Sequence, residues 1–392
     1  MTMRLARWKR WVGMVAGVGL LAGCARAPLH GNPELPAAPR QPPVEYFQVD
    51  WWKGLVDKVP LLEYSPREPA SPVYDPESQN VIVQTRDGYI RAVGPDGQVA
   101  WSFRTGARAL AGGIASEGVL YMPGGDGVLY ALDGRTGAVK WKYATNESLA
   151  TVPVLADGLV LVATDTDTVF AVKATDGTWV WQYRRDPPSG FTIRGASAPK
   201  VDQGTAYVGF SDGFLVALKL EDGGVVWEKS LSGAGTEFLD VDTTPAIDSA
   251  GRLYVASYKN GLYALEADTG AVIWNTSVGG LTSLLSRGEV VFATGDGRVD
   301  AYLGETGKLI WSLPLKDRTA LAPVLARGML LVPNERALLF VDPTTGKTRL
   351  SWNPGVGISA PPFVVGSRVY VLSNNAYLYS LDMNNVKKGP RG

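Results

Sequence analysis

The chain has 392 residues, with 38 Lys and Arg against 38 Asp and Glu, a formal net charge of zero. That balance offers no basic surplus with which to attract nucleic acid. The single cysteine excludes an internal disulfide and argues against a thiolate metal site.

At the N-terminus, Arg4, Arg7, Lys9 and Arg10 precede an apolar run from Trp11 to Leu21. A basic start followed by a short apolar stretch is the pattern of an exported precursor, and the run is too short to span a bilayer comfortably. It ends in LAGC, residues 21–24, which resembles the lipobox of bacterial lipoproteins and implies a covalent lipid on Cys24. Several acyl chains on one residue anchor firmly, at about 0.8 kcal/mol per buried methylene. Ala25, in place of an aspartate, favours sorting to the outer membrane. Residues 1–23 are therefore expected to be a lipoprotein signal peptide, and 24–44, rich in Pro and Ala, a lipidated tether. His30, the only histidine, falls in the tether and is expected to be solvated, with no metal to hold. Removing residues 1–23 takes away four positive charges, so the mature chain carries 34 Lys and Arg against 38 Asp and Glu, a net charge of −4.

From Glu45 onward the chain repeats itself. DGYIRAVGPDGQVAW ends at Trp101, DGVLYALDGRTGAVKW at Trp141 and DTVFAVKATDGTWVW at Trp181. DGFLVALKLEDGGVVW ends at Trp227, NGLYALEADTGAVIW at Trp274 and DGRVDAYLGETGKLIW at Trp311. A seventh copy has Leu350 at the tryptophan position with Trp352 two residues on, and an eighth, from Asn375, stops before any tryptophan. Each copy is preceded by two short apolar runs, so one unit predicts four short strands. Asp-Gly or Asn-Gly is expected to supply the positive φ of a tight hairpin between the second and third strands. The tryptophan is expected to pack back onto the sheet as a structural residue.

Four-stranded units about 40 residues apart predict a β-propeller. A solenoid needs terminal caps, and this chain ends differently. The last unit lacks its fourth strand, while FQVDWWKGL, residues 47–55, supplies a tryptophan-bearing strand, with Trp52 as the repeat tryptophan, that has no partners before it. The expected fold is all-β: one eight-bladed propeller over residues 45–385, its ring closed by the N-terminal strand, with a basic tail at 386–392. Closure removes the exposed edges of an open array.

The connections between units are unequal. Trp141 to Pro153 and Trp311 to Pro323 are each 12 residues, whereas Trp181 to Pro199 and Trp227 to Pro245 are each 18. Two consecutive connections are thus six residues longer, and connections of one kind lie on one face of a propeller, together with the Asp-Gly hairpins. Adjacent long loops on a rigid ring are where binding tends to reside. The first carries Phe191, Ile193 and Arg194; the second carries Phe238, Leu239, Asp240 and Asp242. Apolar anchors beside charges that fix register suit a protein partner. Two readings of the charges stand side by side. Asp242 either faces a partner or bonds Thr243 or Thr244 in its own turn, and Arg194 either faces a partner or pairs with Asp240 or Asp242.

The A-L-x-x-x-T-G-x-x-x-W frame resembles the tryptophan-docking, PQQ-like repeat of pyrroloquinoline-quinone dehydrogenases. That likeness implies a quinone cofactor and calcium, but the adjacent cysteines and long cofactor-covering insertions of those enzymes are absent from this sequence. A lipobox, a tether, eight such repeats and the segments FTIRGASAP and DVDTTPAI together resemble the BamB family, lipoprotein subunits of the outer-membrane β-barrel assembly machine. That resemblance covers nearly all of the chain from Cys24. It implies a non-enzymatic, cofactor-free scaffold in the outer membrane, facing the periplasm and monomeric within its complex. It implies docking on a POTRA domain of the barrel subunit BamA beside other subunits of the machine, through Phe191, Ile193, Arg194, Asp240 and Asp242. Phe191 departs from the leucine more usual there, and the tether is longer than the family's. A ligand-binding or sensor propeller, with its ligand on the axis, remains a third possibility.

Overall fold

The computed structural model describes residues 46–56, 66–186, 197–232 and 240–384. The expected signal peptide, Cys24, the tether and the basic tail lie outside the described residues.

Turn chemistry sets the blades. The tightest hairpins join the first and second strands: Glu117-Gly118, Asp157-Gly158, Gln203-Gly204 and Arg327-Gly328 all have two consecutive positive φ values. That is the two-residue turn whose twist matches paired strands. The Asp-Gly turns between second and third strands are wider, and in blade 2 Gly127 N donates to Gly124 O at 3.1 Å. The sequence reading placed the tight hairpin there, and the structure places it one turn earlier.

Eight antiparallel sheets follow one another, formed by residues 73–104, 114–144, 154–184, 200–230, 246–276, 281–319, 324–352 and, last, 363–382 together with Gln48–Gly54. These are blades 1 to 8 of a β-propeller. Blade 6 differs in that Val290–Leu303 runs unbroken, its first half pairing with Leu281–Arg287 and its second with Leu309–Thr319. First strands of adjoining blades lie against one another, and Val73–Asp75 meets both Ile114–Ser116 and Phe363–Val365, which closes the ring.

A register shift recurs between third and fourth strands, for instance at Ala131/Leu132, Ala171/Val172 and Ala217/Leu218. The bulge turns the outer strand so that its tryptophan reaches the next blade. Trp101, Trp141, Trp181, Trp227, Trp274 and Trp311 donate their indole N–H to Gly134, Ala174, Leu220, Ala267, Gly304 and Pro343 carbonyls at 2.8–3.1 Å. Each indole lies on the turn glycine of that next blade; a Cβ on Gly223 would stand 2.7 Å from Trp181. Core clusters are shared by adjoining blades, as where Leu161, Val169 and Trp181 of blade 3 pack with Val208, Val216 and Leu218 of blade 4. Full burial of side chains of this size contributes about 1.5–3 kcal/mol each.

At the closing seam Gln48–Gly54 pairs antiparallel with Tyr377–Asp382. Here Trp51, and not Trp52, takes the repeat position, lying over Gly97 of blade 1, whereas Trp52 is 45% exposed beside Tyr377. The strand is paired so that Trp51 faces Ser380, the place held by alanine opposite each docked tryptophan. Blade 7 has Leu350 at that place, opposite Phe340, and Trp352 is buried two residues on. Trp352 meets Tyr379 of blade 8 edge-on at 5.1 Å and Phe47 at 5.2 Å, while Phe47 stacks on Phe340 at 5.2 Å. An aromatic cluster thus bridges blades 7 and 8 where the docked tryptophan is missing.

Candidate functional site

Blade 4 is bracketed by the two long connections, residues 185–199 and 231–245. Phe191, Ile193 and Arg194 of the first, and Phe238 and Leu239 of the second, lie outside the described residues, as does any pairing of Arg194. The entrance to the first connection and the return limbs of both are described, and they show how the loops are seated.

The first connection starts at Arg185. Its guanidinium donates to Asp212 at 2.5 Å, to Glu228 at 2.9 Å and to the Tyr183 hydroxyl at 3.1 Å, and it lies 4.2 Å from the centre of the Phe214 ring. Burial alone would loosen its proton, but the hydrogen bonds to Asp212 and Tyr183 outweigh burial and raise its pKa. Beside it, Asp167 holds a left-handed backbone at φ 59° where the repeat has glycine, and its carboxylate accepts from Ser211 N at 3.0 Å and from the Ser211 hydroxyl. Burial pushes Asp167 up, against those hydrogen bonds. Asp212 and Ser211 belong to the hairpin between the second and third strands of blade 4, so hairpins and connections share one face.

The return limbs touch. The hydroxyl of Ser197, buried, donates to the Thr243 carbonyl at 3.1 Å and accepts from Gly209 N at 3.3 Å. Val241, also buried, donates its N–H to the Phe210 carbonyl at 3.1 Å. Thr243 commits its own hydroxyl to the backbone of Ala256, donating to O at 3.1 Å and accepting from N at 2.9 Å. That hydroxyl is therefore not available to Asp242.

The two aspartates have different surroundings. Asp240 is fully buried at the base of the limb, with its carbonyl accepting from Tyr258 N at 3.1 Å. Asp242 is partly exposed, and burial pushes its carboxyl up to about 6, with a further push from Asp240. Tyr258 donates to Asp296 at 2.8 Å, and Asp296 also accepts from the Thr319 hydroxyl at 2.9 Å. That hydrogen bond, then burial and the nearby carboxylates of Asp296 and Asp242, hold the tyrosine proton on. The second connection therefore opens onto two acidic residues, Asp242 and Asp296, with Asp240 fully buried behind them.

Sequence reasoning did not find Arg185, Ser197, Tyr258 or Asp296. Arg185 had a signal in its place, one residue past the outer strand and facing the Asp212 hairpin. Ser197 and Thr243 had one in their matching places before Pro199 and Pro245. A third long connection, residues 55–72, was also missed, although Trp51 to Pro72 is 21 residues. It joins blade 8 to blade 1, across the ring from blade 4. Among the described residues no group of three or more His, Cys, Asp or Glu is placed to hold a metal ion.

A family model described as outer membrane protein assembly factor BamB matches residues 86–301 and 295–388. A relative of that name from Yersinia pestis is 26% identical over 312 residues, covering 77% of this chain and 67% of its own. Another, from Legionella pneumophila, is 28% identical over 204 residues, covering 49% of this chain and 52% of its own. The chain thus spans about half to two thirds of the length of these curated relatives. Among solved structures, BamB from Moraxella catarrhalis has a TM-score of 0.75 at 23% identity, covering 86% of this chain and 99% of its own. A quinohemoprotein alcohol dehydrogenase from Comamonas testosteroni has a TM-score of 0.69 at 13% identity, covering 89% and 78%. Both structures share the fold, and the sequence match separates them: by its family model, over most of its length, the chain belongs to the BamB family of outer membrane protein assembly factors.

Proposed function

We propose that the chain is a non-enzymatic scaffold in outer-membrane protein assembly, anchored to the outer membrane through lipid on Cys24 and facing the periplasm. It docks on a POTRA domain of a BamA-like barrel subunit through the two long connections around blade 4. The carrying observation is the Ser197–Thr243 contact, which seats the return limbs of both connections against each other on rigid strands. Return limbs already held against each other lose little freedom on binding, and that favours affinity. Arg194, Phe191 and Ile193 supply the cationic and apolar side of the patch, and Asp242 and Asp296 the acidic side. Asp240, being buried, supports the second loop from below.

Copurification tests this reading. Arg194→Glu is expected to reduce recovery of the barrel subunit at least tenfold while leaving the unfolding temperature unchanged. Undiminished recovery would overturn the docking patch. The quinoprotein alternative expects quinone absorbance and dye-linked dehydrogenase activity once quinone and calcium are added, and the scaffold reading expects neither.

A further inference from the structure

Strand polarity places the two ends of the propeller's work on opposite faces. Gln48 pairs with Asp382, at the edge bearing the turns between third and outer strands, while Gly54 pairs with Tyr377, beside the hairpin at 373–376. The N-terminal segment therefore enters at the face opposite the long connections. That segment, 22 residues from Ala25 to Tyr46, could extend to about 75 Å at roughly 3.4 Å per residue. A lipid on Cys24 would keep the propeller near a bilayer without setting which side faces it.

The rim on that entry face is not uniform. On blades 2 and 3, Arg135, Lys140, Lys142 and Lys173 are exposed, and between them Val139 is 47% and Trp179 50% exposed. The outer strands Val139–Ala144 and Trp179–Arg184 contain no acidic residue, and both start at the entry face, with Arg184 at the far end of its strand. The N-terminal strand of blade 8 carries Asp50, paired with Arg368 at 3.5 Å, and the corresponding turn of blade 1 exposes Asp96, so the basic stretch is confined to blades 2 and 3. The nearest rim carboxylates, Asp133 and Asp176, cap their own turns, accepting from Thr136 N at 2.9 Å and Thr178 N at 2.8 Å. Glu117 and Asp157 lie at inner turns, towards the axis, and Glu147 pairs with Arg184. Across the ring the sign reverses. The corresponding turns of blades 4 to 6 expose Glu221, Asp222, Glu266, Asp268 and Glu305 against Lys219 and Lys308. Exposed Val225, Val226, Val272, Ile273, Leu309 and Ile310 stand beside those acids.

We infer that the cationic, tryptophan-bearing rim of blades 2 and 3 lies against the anionic headgroups of the bilayer that holds the lipid anchor. Tryptophan settles at the headgroup level, and lysine and arginine lay their stems along apolar surface with the charge at the phosphate. Each basic residue near an anionic leaflet strengthens adsorption several-fold. Tethering supplies the high local concentration that a weak patch needs. The acidic turns of blades 4 to 6 are repelled by the same surface, which tilts the ring and leaves the long connections facing away from the lipid.

This inference rests on the lipid anchor of the proposed function, and the test separates the two. The lipidated chain is reconstituted into vesicles of phosphatidylethanolamine and phosphatidylglycerol, 3:1. A fluorophore is placed on Thr175→Cys, exposed in the turn beside Trp179, or, across the ring, on Val272→Cys; the acylated Cys24 sulfur does not react. A headgroup-linked quencher reads proximity. Quenching at 175 is expected to exceed that at 272 at least twofold. The difference should vanish in phosphatidylcholine vesicles, in 0.5 M salt, or with Lys140→Glu and Lys142→Glu together, since exposed charges are screened within a few ångströms at high salt. Equal quenching at both positions on a retained chain, or stronger quenching at 272, would overturn the rim contact and leave the anchor standing. Shielding of 175 that appears only on adding the barrel subunit would assign the rim to a protein and overturn it likewise. Loss of the chain from the vesicles would overturn the anchor, and the rim with it.

Discussion

The Ser197 hydroxyl joins three elements at once: its own connection, the Gly209 N–H of the second strand of blade 4 at 3.3 Å, and the Thr243 carbonyl of the next connection at 3.1 Å. A side chain buried among backbone groups in this way sets the return limbs of the two connections relative to each other. The separation of those limbs is then a property of the ring.

Ser197→Ala leaves a buried N–H and a buried carbonyl each short of a partner, at a cost of about 1–3 kcal/mol. Thr151 makes a matching clamp in blade 3, to Ala163 O at 3.1 Å and from Ala163 N at 3.0 Å, but stands on a short connection. Both Ser197→Ala and Thr151→Ala should lower the unfolding midpoint by a few degrees. Only Ser197→Ala should also lower recovery of the barrel subunit, measured at a temperature where both variants are folded. Equal recovery would mean that the relative setting of the two connections is unimportant.

How much of this was legible in the sequence follows from what each feature depends on. The blades were legible because six units repeat a turn glycine and, four residues on, a tryptophan, and both have local causes. The choice between Trp51 and Trp52 was not, because adjacent residues of a strand face opposite ways and the register shift between Val49 and Trp51, which sets Trp51 opposite Ser380, decides between them. Arg185 was hidden because its partners, Asp212 and Glu228, are brought to it by the neighbouring blade. The burial of Asp240 was hidden in the same way, since a loop aspartate in sequence gives no sign of packing beneath Tyr258. The connection at 55–72 escaped notice because no complete unit precedes it to reveal its length.

Asp242 gives a prediction with opposing signs. Its folded carboxyl titrates near 6, above the ordinary 3.8, mainly through burial. The folded state therefore binds more protons than the unfolded one between about 4 and 6, and stability falls as pH rises through that window. Asp242→Asn should raise the unfolding midpoint at pH 7.5 and have little effect at pH 4. If the carboxylate faces the barrel subunit, the same variant captures it several-fold less well. A more stable variant that captures normally would assign Asp242 to the turn alone.

Trp51 and Trp52 should differ sharply when each is cut back. Trp51 covers Gly97 and lies 6.2 Å from the Tyr370 ring at the closing seam, so Trp51→Ala opens a cavity at the seam and should cost about 3 kcal/mol. Trp52 is 45% exposed and touches mainly Tyr377, so Trp52→Ala should cost under about 1 kcal/mol. Urea unfolding of the two variants checks the order, and a reversed order would place Trp52 in the docking position.

The other side of the seam is closed by charge. Glu68 is fully buried; it accepts from Arg86 N at 2.8 Å and pairs with the Arg86 guanidinium, while its own N–H donates to Asn374 of blade 8 at 3.3 Å. The segment before blade 1 is thereby fastened to hairpins of both blades 1 and 8. Burial pushes the Glu68 carboxyl up to about 7, against the pull of Arg86 and with a small push from Asp87. Because the folded pKa lies above the ordinary 4.5, the stability linked to this group is present below about pH 4.5 and is lost as pH rises towards 7. Glu68→Gln mimics the protonated acid, so its unfolding midpoint should gain on that of the unaltered chain between pH 5 and pH 8. The opposite slope would show that Arg86 outweighs burial and that the seam is held by a fully ionised pair.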